Sequence, residues 1–517
     1  MSALRDFGER AQMIARELHG GHERRDAARV AKIVGEMVTA KRYEDAISLA
    51  RACVNMAPRL GEAWNVLSYA YSFAHGLEAE QIAAAREAVM LRPQDPTAWH
   101  NLSVGLMRVF DFDEALEASQ QALALPLDPS LAYVPIQTAF LASLVGAHQL
   151  SLEYLAQACE LIPDDDPVRE GHLAELDLGC ALAYAAMGNW GGFLDNLESR
   201  HALFGNRLPN FMYDMWKRGR FWRQNDEWRH AGEREALVYL EWGIGDQIQF
   251  ARLIPWILRG LAFDGAGVVA GFSRITVACS YPLLEIVRSI SGVDAVIDHT
   301  ELRADNVRPD VAVIPVIDLM GELLSLGAFP LGGFRAPYIR PPSPYLAWQP
   351  AGKPGRVAIA FSWQGDPKQT QDFARRIPFQ AWANFARDNA ESYTFHSMQT
   401  KFAGHIDPWE GWPAEVPLDD TSTINRTMRD AAELIEKCDV FVGQCGALVH
   451  LAGAMGKPCV VLLGFAHDYR WDFEPLYDCV LVKQTRPGDW ASAFAQLPRA
   501  IEEALTRRTA EFSNNRS

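Results

Sequence analysis

Four prolines in the first third of the chain, Pro58, Pro93, Pro126 and Pro163, each close an amphipathic helical pattern, and they stand 35, 33 and 37 residues apart. A period near 34 residues belongs to stacked helix pairs. Other positions keep the register: Trp64 and Leu67 open one unit as W-x-x-L, Trp99 and Leu102 open the next 35 residues on, and Tyr133 follows 34 after Trp99. The turn between paired helices recurs as Tyr43-Glu-Asp-Ala46 and Phe112-Asp-Glu-Ala115. One such pair cannot bury its own apolar face, so neighbours must stack into a solenoid. About four units fit between residues 28 and 165, and a fifth, degenerate one runs to about residue 203 through Gly171–Ala183.

The repeats account for less than half of the chain. At 517 residues it exceeds the roughly 250–300 that one hydrophobic core serves, so further domains follow. A formal charge of −16 argues against a nucleic-acid partner, because phosphate backbones need a basic surface, but leaves room for a local basic pocket. The eight cysteines are scattered without a C-x-x-C pair and read as small core residues in a reducing cytoplasm. The N-terminus is charged from its fifth residue, unlike a secretion signal, and no stretch approaches the ~20 apolar residues of a membrane span. A cytoplasmic protein is expected.

Residues 206–235 are dense in aromatics and arginine and read as a bridge. Beyond them short β-rich runs alternate with helical stretches: Ala236–Leu240, Ile275–Ser280, Ala295–Asp298, Val311–Val316, Val357–Trp363, Tyr393–Gln399, Val440–Gly443, Cys459–Gly464 and Val480–Lys483. Apolar strands separated by helices imply parallel sheets covered on both faces. The proline-rich Tyr338–Gly355 fits neither sheet and reads as a hinge. The expected organisation is an N-terminal helix (1–27), a repeat array (28–205), the bridge (206–235), two doubly wound domains (236–345 and 352–485), and a C-terminal helix and tail (486–517). The fold class is thus α plus α/β, with ligands in the cleft at the carboxyl ends of the strands.

Three segments carry candidate chemistry. Glu241-Trp-Gly243-Ile-Gly245-Asp246 follows a strand and opens a helix. Its glycines let the backbone turn and approach a ligand; Asp246 is either a helix-capping carboxylate or a general base. Ser362 to Lys368 ends a strand, and Arg375-Arg376 follows, a setting for a phosphate or carboxylate, or simply a solvated basic loop. Val442 to Pro458 is strand, turn, helix, glycine and proline, with Gly446, Ala447 and Leu448 offering backbone N–H groups to an anion. His450, in the same turn of helix, is either a donor contact or a packing residue. Cys445 has no neighbouring base in sequence, and no His/Asp/Glu set has metal-ligand spacing.

The repeats resemble the tetratricopeptide (TPR) family, whose stacks usually present a concave surface to a protein; Trp64, Trp99 and Tyr133 mark that region here. The three later segments, in this order, resemble the heptosyltransferase-type GT-B module found behind TPR arrays in bacterial proteins. Gly243–Asp246 matches its Gly-x-Gly-Asp turn, and Asp468-Tyr469-Arg470-Trp471 its Asp-Trp-Arg-Trp element. The resemblance implies that Asp246 is the base, that Gly243, Gly245, Ser362, Gly446, Ala447, Leu448 and His450 line the donor, and that Lys368 and Arg375 offset charge on the departing nucleotide. It implies a metal-independent glycosyltransferase, without a cofactor, moving a sugar from a nucleotide-sugar to a protein hydroxyl, as the flagellin-modifying enzymes of this design do. One departure stands out: the family's Asp-Thr pair is Cys445-Gly446 here. A catalytically inactive TPR/GT-B interaction scaffold is the alternative.

Overall fold

The computed structural model describes residues 23–74, 76–166, 169–203, 211–221, 235–255, 272–318, 337–341, 343–351, 355–365, 374–399, 411–473 and 477–514. Contacts divide the chain into two units, Met1–Ala183 and Tyr184–Ser517.

In the first unit the periodicity becomes helix pairs. These are α1 (Glu23–Thr39) with α2 (Tyr43–Met56), α3 (Gly61–Tyr71) with α4 (Glu78–Leu91), α5 (Pro96–Arg108) with α6 (Phe112–Leu123), and α7 (Tyr133–Leu144) with α8 (His148–Leu161); α9 (Arg169–Ala186) follows. This is the TPR-type architecture. The shared period of tryptophan and proline has a physical cause: Trp64 Nε1 donates to the Pro58 carbonyl at 2.8 Å, and Trp99 Nε1 to that of Pro93 at 2.9 Å. Each proline ends one pair, and the indole six residues on fastens the next to it. Alanines allow close crossing, with Ala46, Ala50, Ala63, Ala70, Ala85 and Ala88 all fully buried. Asp95 and Asp111 cap α5 and α6 through the backbone N–H groups of Thr97 and Glu114.

The turns inside the pairs carry a second period. The left-handed residues are Lys41 (φ 59°), Gly76 (78°), Phe110 (65°) and Gly146 (79°). An L side chain there costs roughly 1–2 kcal/mol, partly offset by glycine's larger loss of entropy on folding. Lys41 is exposed. Lys41→Gly is therefore expected to stabilise the chain by about 0.5–1 kcal/mol. Denaturant titration of the full-length protein checks this; an unchanged or lowered midpoint would refute it.

The second unit begins with α10 (Trp190–Leu197) and α11 (Phe211–Lys217), then builds two parallel sheets. The first has the order β3-β2-β1-β4, from β1 (Glu235–Tyr239), β2 (Arg274–Cys279), β3 (Ala295–Asp298) and β4 (Ala312–Pro315), with helices α12 (Ile244–Phe250) and α13 (Leu284–Val287) between. The second has the order β10-β9-β8-β5-β6-β7. Its strands are β5 (Val357–Phe361), β6 (Tyr393–Ser397), β7 (Leu418–Asp420), β8 (Val440–Gln444), β9 (Cys459–Leu463) and β10 (Val480–Lys483). Its helices are α14 (Phe379–Asn389), α15 (Met428–Lys437), α16 (Ala447–Ala454), α17 (Arg470–Phe473) and α18 (Trp490–Asn514). Both sheets are doubly wound, and together they form the GT-B type of fold. In each sheet the first strand lies between strands reached in opposite directions, so β1 and β5 are the topological switch points where such sheets bind ligands.

The segment read as a hinge is fastened at several places. Tyr338 and Ile339 donate their N–H groups to the Ala454 carbonyl, at 3.0 and 3.2 Å. The backbone N–H groups of Tyr345 and Leu346 donate to the buried Glu433 carboxylate, and Lys437 Nζ pairs with Glu433 and donates to the carbonyls of Leu346 and Trp348. Residues 343–348 are thus a strap on α15. As expected from its prolines, the segment joins neither sheet: backbone groups it cannot pair there are satisfied by the Glu433–Lys437 ion pair.

Candidate active site

Strand β1 ends at Tyr239, and the chain turns through Trp242, which adopts a left-handed conformation (φ 66°). Gly243 is then the N-cap of α12. Asp246 occupies the third helical position, where its Oδ2 accepts from the Gly243 N–H at 3.1 Å. A capping function is therefore present, though from inside the first turn. The same carboxylate does more. Its Oδ1 accepts from Arg470 Nη1 at 2.8 Å, an ion pair whose side chains are 26% and 17% exposed. Asp246 comes from the first lobe and Arg470 from the second, so this contact joins the strand ends of the two sheets.

Arg470 is shared. Its Nε and Nη2 grip Asp468 Oδ1 and Oδ2 at 2.9 and 2.5 Å, the fork geometry of a bidentate pair. Burial alone would raise the Asp468 carboxyl, but the adjacent guanidinium outweighs it and holds it below the ordinary aspartate value. One residue on, Trp471 Nε1 donates to Cys445 Sγ at 3.1 Å, and the indole stacks on the His450 ring at 5.4 Å between centroids. The Asp468–Trp471 element thus sits directly on the turn that opens α16. The sequence reading quoted this element but assigned its residues no role; 224 positions separate the two partners of the ion pair.

The α16 turn begins at Gly446, its N-cap, with Cys445 to Leu448 partly exposed. Arg375 Nη1 donates to the Cys445 carbonyl at 3.3 Å. The first N–H groups of a helix lack internal partners, and they carry the positive end of its dipole. Gly245 makes the approach of α12 possible: a Cβ there would lie 3.1 Å from His450 Cδ2 and 3.5 Å from Ala447 Cα. Gly245→Val is expected to wedge the lobes apart and destabilise the protein by about 1–3 kcal/mol. Thermal melts test this, and a wild-type midpoint would show that the contact is slack.

The other sequence candidates fall into place differently. His450 is buried, and its Nδ1 lies 3.1 Å from Tyr477 Oη. Burial, helped by Arg470, lowers its pKa to about 4, so the ring is neutral at pH 7. Tyr477 in turn lies 3.5 Å from Tyr338 Oη, which donates to the Ile248 carbonyl of α12. Ser362 is buried and spends its hydroxyl on Gln444 Oε1 at 3.1 Å, tying the end of β5 to that of β8. Burial pushes the Cys445 thiol up to about 11, which leaves it a poor nucleophile. Lys368 and Asp366 lie outside the described residues. Trp64 and Trp99 serve the repeat stack, whereas Tyr133 is 43% exposed against His100.

A separate cavity of about 340 Å³ lies by Arg356, Tyr393, His396 and Asp419. It opens at the amino ends of β6 and β7, away from the switch points. Among the described residues no group of three or more His, Cys, Asp or Glu side chains is placed to hold a metal ion. Among them too, no helix is long and apolar enough to cross a membrane.

No family model matches the chain. It is similar to the protein FlbA of Caulobacter vibrioides, with 23% identity over 457 residues, 82% of this chain and 70% of that protein. Among solved structures, a glycosyl transferase family 9 protein from Veillonella parvula aligns with 53% of this chain and 98% of its own, at 10% identity and a TM-score of 0.37. YrrB, a TPR protein with an unusual peptide-binding site, aligns with 40% of this chain and 99% of its own, at 16% identity and a TM-score of 0.29. The fold assignment rests on the helix pairs and the two sheets themselves.

Proposed function

We propose that this chain is a glycosyltransferase, moving a sugar from a nucleotide-sugar to a hydroxyl of a protein recruited by the TPR array. One observation carries the reading: the Asp246 carboxylate at the β1 switch point meets, through Arg470, the glycine-bearing turn at Gly446 in the second lobe. A carboxylate from one lobe beside a helix-opening turn of the other is the pairing that direct displacement at a sugar carbon would use. Asp246 takes the proton from the acceptor hydroxyl, whose oxygen bonds to the anomeric carbon. The bond from that carbon to the phosphate oxygen breaks, and the nucleotide departs with the electron pair. Charge on the departing phosphate is met by the N–H groups of Ala447 and Leu448, the α16 dipole and Arg375, so the reading invokes neither metal nor cofactor. Gly243 and Gly245 allow the approach, and His450, neutral and stacked, shapes the donor side. Flagellin is the acceptor that the family resemblance suggests.

The scaffold reading draws on the same ion pair, because an Asp246 oxygen already occupied by Arg470 is not open to an acceptor hydroxyl. A thermal-shift screen of nucleotides and nucleotide-sugars separates the two. A ligand that binds only the folded state at 100 times its dissociation constant adds about 2.7 kcal/mol of stability. The enzyme reading expects such a shift from one nucleotide-sugar, together with slow release of the free sugar from it. Binding without release supports a scaffold, and no shift from any compound overturns the donor site.

A further inference from the structure

We propose that Arg470 is a ligand of the donor's phosphates, and that it exchanges Asp246 for them when the donor binds. The inference rests on the glycosyltransferase reading above and adds a residue that reading leaves idle.

Three observations converge. Arg470 divides its donors unequally, two to Asp468 in a fork and one, Nη1, to Asp246 at 2.8 Å. The fork fixes the guanidinium from behind, as Asp468 follows the end of β9 and also accepts from the Arg470 N–H at 2.9 Å. The third donor is the exchangeable one, because Asp246 also keeps a separate bond to Gly243 N–H. Next, the Trp471 indole, held to Cys445 Sγ and stacked on His450, sets the residue before it beside the turn that opens α16. A phosphate seated on that turn lies next to Nη1. Finally, a second cation, Arg375, donates to the Cys445 carbonyl of the same turn at 3.3 Å, so positive charge reaches the turn from two residues. A dianionic pyrophosphate outcompetes a single carboxylate for a planar guanidinium, whose fork matches phosphate oxygens.

The exchange has a consequence for the base. When the donor takes Nη1, Asp246 Oδ1 is no longer occupied by Arg470 and is open to a hydrogen bond from an acceptor hydroxyl. Arg470 acts here through charge and touches the donor, while Asp468 is the residue that positions it.

The test compares UDP, GDP, ADP and CMP binding by calorimetry to four full-length proteins: wild type, Asp246→Asn, Arg470→Gln, and the double variant. Removing the competing carboxylate is expected to tighten binding of the preferred nucleotide about fivefold, the equivalent of about 1 kcal/mol for a partly exposed pair. Arg470→Gln is expected to weaken it at least tenfold, by loss of charge-assisted bonds. In the double variant the fivefold gain disappears, because the gain needs the freed guanidinium. A gain that persists without Arg470 is general electrostatics and overturns the proposal, as does unchanged or weaker binding by Asp246→Asn. The Asp246→Asn arm stands even if Arg470→Gln fails to fold. If wild type binds a nucleotide and these couplings are absent, the exchange fails and the glycosyltransferase reading stands. If none of the four proteins binds any of the probes, both fall.

Discussion

Asp246→Asn is expected to lower sugar transfer by about 10²–10⁴-fold, the usual contribution of a positioned general base. Asparagine keeps an oxygen that accepts from the Gly243 N–H, so the first turn of α12 retains its cap. The ion pair with Arg470 is lost, but both side chains are partly exposed, which limits its worth to about 1 kcal/mol. The melting temperature should therefore move little while turnover collapses. Nucleotide binding survives in the variant, so the loss appears in kcat and leaves KM for the donor unraised. His450 is a poor alternative base near neutral pH, because burial lowers its pKa to about 4 and the neutral ring accepts a proton only weakly. A variant that turns over donor and acceptor at the wild-type rate would remove Asp246 from the chemistry. A variant that melts far below wild type would make its main role structural.

Much of this architecture was legible in the sequence, and what was missed has a common cause. The helix pairs were readable because Trp64, Trp99, Pro58 and Pro93 are both periodic and mutually bonded. The strands β3 and β10 fall where alternation places them, since continuous Val, Ile and Leu have few other uses between helices. Strand β7, only Leu418–Asp420, was not foreseen: three half-buried residues at a sheet edge leave no apolar run to read. Of the site, the glycine turns and Asp246 could be found because their chemistry is local. The significance of Arg470 could not, because an ion pair between residues 224 positions apart leaves no trace in spacing. The same is true of Glu433 and Lys437, whose i, i+4 separation on α15 suggests an ordinary surface pair, yet together they hold the strap. Left-handed Lys41 and Phe110 were hidden for a different reason: glycine, the residue that announces such turns, is absent from those two turns.

Arg200→Met is expected to cost about 3–5 kcal/mol, the largest stability effect of any single change considered. Arg200 is enclosed, with its side chain 1% exposed. Its Nη2 donates to Asp318 Oδ1 at 2.6 Å and reaches both oxygens of Glu241 at 3.3 and 3.2 Å, while Nη1 donates to the Leu197 carbonyl. Glu241 also accepts from the Ile317 N–H and lies only five residues before Asp246, so the cluster anchors the turn on which the candidate base stands. Buried Glu241 and partly buried Asp318 share one guanidinium, and they respond in opposite senses. Burial drives Glu241 up, with Arg200 opposing, whereas at Asp318 the pull of Arg200 and His201 outweighs burial and holds the carboxyl well below its usual value. Methionine fills the space but leaves both acids without the guanidinium, with only His201 still beside Asp318. Glu241→Gln should be far milder, because a neutral side chain is closer to what burial favours there, and adding it to Arg200→Met should recover part of the loss. The pH dependence has a defined sign. In wild type the stability from Asp318 is full above the ordinary aspartate value and is lost as pH falls through and below it. Without Arg200, buried Glu241 loses the charge that opposes its protonation, so the deficit of the variant should shrink as pH falls from about 7 to about 5. Denaturant midpoints at those two pH values decide the matter: a deficit that is small, or that grows on acidification, would mean that solvent reaches the cluster and that Arg200 is not its keystone.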